Sequence, residues 1–283
     1  EADLTKNEDQ TASVAKQIRR SHCQTSSSGP LPELLSISHG ERARWLFMDR
    51  FISLEKYEST IGYNFEEKDV ARFQQELNSL VEHLLLLPVT IEAAEKNDIP
   101  ALQKIFATSV LVFRNPVIGG VNGTPIPCCV ANIREMFPHY FYKHCQKPNW
   151  FEDKEFYLEP IARPHWVLCE TERINCTLRK PESKLRNFAK TWGFEIENVR
   201  QKSVVEDVLD RVICGEALEE NIFSGNCNSL TSTTYSGNQN NQGRLVYTVQ
   251  RARKIAIHGK AGIPHWSAKR RLWPGIYPTL SLT

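Results

Sequence analysis

The chain has 283 residues, of which 41% are hydrophobic and 24% charged; that length can bury a large core, and that composition excludes a globally disordered chain. The aliphatic run Leu84–Leu87 stops at Pro88, and no stretch approaches the roughly 20 apolar residues a membrane helix needs. The formal charge of +2 conceals an asymmetry: residues 221–283 hold eight Lys or Arg and no Asp or Glu, which leaves residues 1–220 at −6.

Residues 1–36 are polar, carry the run Ser26-Ser27-Ser28-Gly29-Pro30, and read as a flexible arm. Ser38 with Glu41 three residues on makes a capping box, ahead of Trp45, Met48 and Ile52 on one helical face. Asn64 with Glu67 opens a second helix with the stripe Val70, Phe73, Leu77, Leu80, Val81 and Leu84, closed by Pro88. Thr90 opens a short helical stretch, and Pro100 begins another expected to reach Phe113. Residues 37–115 thus read as all-helical. The segment 115–127 concentrates Pro116, Gly119, Gly120, Gly123, Pro125 and Pro127, which predicts a surface connection between two structural regions.

Beyond it the signals mix. His165–Thr171 is a short run of strand formers, and Pro181 starts a helix that Gly193 ends. Ser203 and Glu206 form a second capping box, followed by Val205, Val208, Leu209, Val212 and Ile213, with Gly215 expected to close that helix. Leu230–Tyr235 and Arg244–Val249 flank a polar tract and read as a hairpin, with Lys254–His258 as a third strand. The expected fold class is α+β: an arm over 1–36, a helical region over 37–115, and a mixed domain over 116–283 that ends in an antiparallel β-layer.

Several chemistry-bearing groupings give way to simpler readings. Zinc asks for four converging ligands delivered as close pairs. The chain has no Cys-x-x-Cys, and His139, His144 and Cys145 stand among Phe137, Tyr140, Phe141 and Tyr142, so packing is the better reading and no metal or other cofactor is assigned. Glu182-Ser183-Lys184, with Asp153 upstream, has the acidic-x-Lys form of a metal-dependent nuclease, but Pro181 places it in the first turn of a helix, where acid is favoured anyway. Glu170 and Glu172 share one side of a strand and read as a solvated face. Glu206, Asp207 and Asp210 read as dipole-favoured acids near a helix start. The eight cysteines are sparse for this length, with Cys169 and Cys214 in apolar surroundings, which predicts buried free thiols and a cytoplasmic protein.

The basic segment carries the functional expectation. Arg251, Arg253, Lys254, Lys260, Lys269, Arg270 and Arg271 are cations suited to phosphates, and Trp266 adds an indole that can stack on a base. These eight residues are the candidate nucleic-acid-binding site. The leading expectation is a non-enzymatic nucleic-acid-binding or accessory protein whose partner is nucleic acid or another polyanion. The alternatives are an assembly subunit with a protein partner on the helical region, and a hydrolase or nuclease. The competing structural reading packs the basic segment against the acidic remainder of the chain.

Overall fold

The protein is described by a computed structural model that covers residues 38–96, 98–142, 151–171, 174–175, 181–219, 223, 227–235, 244–251, 253–260, 275–276 and 278–280. The arm expected over 1–36, the hairpin tip at 236–243, and Trp266, Lys269, Arg270 and Arg271 all lie outside these residues.

Both capping boxes form. Ser38 and Glu41 cap α1 (His39–Phe47), and Ser203 and Glu206 cap α9 (Val204–Ala217) reciprocally. The face of α1 differs from the expected one: Ala43, Leu46 and Phe47 are buried. The helix gives way to a tight turn, and Met48, at φ 51, is exposed. After α2 (Leu54–Ile61) comes α3 (Glu67–Leu85), which buries Phe73, Leu77, Leu80, Val81 and Leu84. Its cap is Glu66 rather than Asn64. Pro88 both ends that helix and starts α4 (Pro88–Glu95), because a first-turn proline loses no helical hydrogen bond.

The expectation of an all-helical region to residue 115 fails at one place. Helix α5 (Ile99–Phe106) stops early, and β1 (Ser109–Arg114) follows, buried along its whole length. Val110 and Val112 are β-branched, and a strand covered on both faces shows a continuous apolar run instead of alternation. The Gly/Pro-rich segment is a small hairpin of β2 (Val117–Gly119) and β3 (Pro125–Pro127). Gly119 is required there, since a Cβ would lie 1.9 Å from the Gly62 carbonyl oxygen. The hairpin leads into α6 (Val130–Met136) and the short α7 (Glu155–Leu158).

The central sheet has the order β1-β4-β11-β6, antiparallel throughout, where β4 is His165–Glu170, β6 Val199–Gln201 and β11 Pro278–Leu280. Because β4 is interior and buried on both faces, Glu170 is only 6% exposed and accepts a hydrogen bond from Thr108 at 3.2 Å. The solvated face expected for it does not exist.

The second sheet has the order β5-β10-β7-β8-β9, with β5 Ile174–Asn175, β7 Cys227–Tyr235, β8 Arg244–Arg251, β9 Lys254–Lys260 and β10 Gly275–Ile276. The expected hairpin and third strand are β7, β8 and β9. Helix α8 (Pro181–Trp192) packs by β6. The fold is therefore α+β, with helices leading and a β-layer toward the C-terminus. Residues 38–283 make one compact unit, and one continuous core runs from Ala43 to Ile257.

Candidate functional site

Helix α9 lies among α2, α6, β1, β7 and β8. Its apolar stripe, Val204, Val205, Val208, Leu209, Val212 and Ile213, is buried. Its other side is buried as well, although it carries Glu206, Asp207, Asp210 and Arg211. At about 100° per residue, Glu206 and Asp210 fall in one row and Asp207 and Arg211 in the next. The first row meets the central sheet, and the second meets the C-terminal sheet.

On the first side, Arg114 at the end of β1 is fully buried. Its Nε and Nη2 donate to the two carboxylate oxygens of Asp210 at 3.0 and 2.7 Å. Its Nη1 lies 2.9 Å from Glu206 Oε1. Lys202 Nζ reaches Asp210 Oδ2 at 2.8 Å, and the Cys169 thiol donates to the same oxygen at 3.2 Å. Arg200 on β6 grips Glu206 with both Nη atoms, the Nη1 bond measuring 2.6 Å. Its Nη2 lies 3.3 Å from His165 Nε2, and His165 Nδ1 lies 2.9 Å from the Arg163 carbonyl, an acceptor that fixes the proton on Nδ1. On the second side, Asp207 accepts from Arg211 Nε at 2.8 Å, from Ser229 at 3.2 Å, and from Thr248. Arg211 also donates to Gln250 and lies over the Phe223 ring.

The electrostatics follow from burial and these partners. Burial pushes the Glu206 and Asp210 carboxyls up, but Arg114 leads the opposing cations and holds both well below the usual carboxylate range. Burial, reinforced by Arg114, lowers His165 to about 4, so its imidazole is neutral. Burial and the Asp210 charge push the Cys169 thiol up to about 12, which leaves no thiolate for nucleophilic work. Cys128, Cys129 and Cys214 are likewise buried free thiols.

A cavity of about 340 Å³ opens beside Arg200, His165, Ser203 and Glu206. Phe156, Ile161, Val204 and Val205 form its apolar wall, and Arg163, Glu159 and Glu197 stand at its rim.

A second, more open cleft contains part of the expected nucleic-acid site. Arg253 and Lys254 line it with His139, Tyr140, Glu216 and Glu219. Arg253 donates to the Glu219 carbonyl and Lys254 to the His139 carbonyl. His139 pairs with Glu216 at 2.8 Å. Strand β9 is the last of its sheet, and the register sets Arg251 opposite Lys254, with Lys260 opposite Leu245 at the far end. Four of the eight candidate residues therefore lie at the two ends of one strand pair.

The acidic-x-Lys grouping is not assembled. Glu182 and Lys184 are exposed on α8, and Asp153 pairs with its neighbour Lys154. Among the described residues no three His, Cys, Asp or Glu side chains are grouped to hold a metal. Sequence reasoning took the α9 acids as dipole-favoured residues near a helix start and did not connect them with Arg114 or Arg200, because those lie 96 and 6 positions away on other elements. Compared with protein-family models, with curated proteins and with solved structures, the chain matches none.

Proposed function

We propose that the protein is a non-enzymatic nucleic-acid-binding or accessory protein that contacts phosphates through its C-terminal basic segment. One observation carries this reading. The buried carboxylates of α9 are engaged by Arg114, Arg200, Lys202 and Arg211, all outside the basic segment. Arg253 and Lys254, inside it, are bonded to backbone carbonyls. A carbonyl oxygen orients a cation but does not cancel its charge, so these two side chains can still meet an anion, although Glu216 and Glu219 in the same cleft offset part of their field. Arg253 and Lys254 stand together at the turn that leads into β9, where they can meet a phosphate group. The buried free thiols suit a reducing compartment, and on that ground we assign the protein to the cytoplasm.

The test is binding of labelled single-stranded and duplex DNA and RNA over a range of salt. The variant with Lys269, Arg270 and Arg271 all changed to Ala should bind more weakly across sequences. Its salt dependence should flatten by about one unit of slope per lost phosphate contact. Trp266→Ala should weaken single-stranded ligands more than duplex, since an indole stacks only on an unpaired base. Absence of binding by the parent chain at low salt, with a lowered melting temperature in the triple variant, would instead show that the segment packs against the acidic part of the chain.

A further inference from the structure

We infer that the cavity beside Arg200 is a binding site for a small organic carboxylate with an apolar body, a site separate from the basic segment and independent of its reading. The argument begins with charge. Glu206 carries one negative charge and is bound by two guanidiniums, Arg114 at 2.9 Å and Arg200 at 2.6 Å. Arg114 is also committed to both oxygens of Asp210, whereas Arg200 has no carboxylate partner other than Glu206 among the described residues. Arg200 is therefore the under-compensated cation at this end of the chain of charges. It is also the member that lines the cavity, with 40% of its side chain exposed.

The guanidinium is held in place before any ligand arrives. Its bonds to Glu206 and His165 use three of its five N–H groups. The Nε–H and the second Nη1–H remain, on opposite sides of the guanidinium, so a ligand oxygen can accept from one of them. His165 is neutral and directs its Nε2 lone pair at Arg200, so it orients the guanidinium without adding a charge. The start of α9 lines the same cavity, and its dipole favours the same sign of ligand.

Size and lining define the rest of the ligand. A volume of about 340 Å³ lies at the small end of the range for small-molecule sites. Phe156, Ile161, Val204 and Val205 offer an apolar wall to the ligand body. Glu159 and Glu197 lie at the exposed rim together with Arg163, where water and salt screen them. They discourage a polyanion more than a single carboxylate.

The experiment is calorimetric titration of the full chain with benzoate, with benzamide as its uncharged counterpart, and with inorganic phosphate. Benzoate should bind in the millimolar range or tighter, and benzamide about 10-fold more weakly or less. Arg200→Gln should weaken benzoate by about 10-fold or more. Ala162→Trp, at an exposed position of the cavity lining, should block benzoate sterically while leaving the melting temperature in place, and keeps the test valid if Arg200→Gln fails to fold. The assignment is overturned if benzoate does not bind the parent chain up to about 10 mM. It is equally overturned if benzoate and benzamide bind alike, if phosphate binds and benzoate does not, or if Ala162→Trp binds benzoate like the parent.

Discussion

A guanidinium or a carboxylate removed from water loses several kcal/mol of solvation, and only well-formed partners recover it. Arg114, Asp210, Glu206 and Lys202 recover it jointly, each charge touching at least one of opposite sign. His165 solves the same problem by staying neutral, and this has a measurable consequence. Its folded-state pKa of about 4 lies below the ordinary value of 6.5. Between those limits the unfolded chain binds a proton that the folded chain refuses, so stability rises with pH across this window and is lost as pH falls toward 4. The groups facing the ring are Arg200, the Arg163 carbonyl, Arg114 and Glu206, and the cations resist its protonation. The shift corresponds to roughly 3 kcal/mol between pH 6.5 and 4. Urea unfolding of parent and His165→Gln at several pH values in that interval should show a shallower pH dependence in the variant. Equal slopes would mean that the imidazole is already protonated in the folded protein.

At the scale of elements, α9 shows how a sound local reading places a helix correctly and its surroundings wrongly. Its apolar residues make one stripe and its acids another, the pattern of a half-exposed surface helix. Nothing local reveals that β7 and β8, more than twenty residues later, cover the acidic side with Ser229, Thr248 and Gln250. The capping boxes at Ser38 and Ser203 were legible because a cap is a contact over three residues. The strand β1 was not, because its partner β4 begins at His165. Gly215 is a further case. Read as a helix stop, it lies inside α9 instead, where a Cβ would stand 2.3 Å from the Tyr140 hydroxyl. Gly215→Ala should therefore destabilise by about 1–3 kcal/mol despite alanine's better helix propensity. In a double-mutant cycle with Tyr140→Ala, the two changes should cost less together than their sum, by about 1 kcal/mol or more. Additive losses would show that Tyr140 is not what excludes the side chain.

At the scale of the whole molecule, the C-terminal residues belong to both sheets. Strand β10 lies between β5 and β7, and β11, two residues on, lies between β4 and β6 in the central sheet. Thr279 is paired with Cys169 on one side and Arg200 on the other, and its hydroxyl donates to the Arg200 carbonyl at 3.3 Å. Chain on both sides of residues 261–274 is built into the fold, since β9 ends at Lys260 and β10 begins at Gly275. Removing residues 275–283 should expose new edges on β4 and β6, leave backbone hydrogen-bonding groups without partners, and loosen the strand that presents Arg200. We expect the truncated chain to melt about 10 °C or more below the parent, or to lose cooperative unfolding altogether. The Lys269, Arg270 and Arg271 triple variant should melt close to the parent if those cations serve an external anion. Calorimetry on both proteins separates the two roles of this part of the chain. A truncated protein that melts like its parent would show that β11 contributes little to the central sheet. A truncated protein that melts far lower would make a nucleic-acid binding assay on it uninformative, leaving charge-removing substitutions within an intact fold as the means of testing the basic segment.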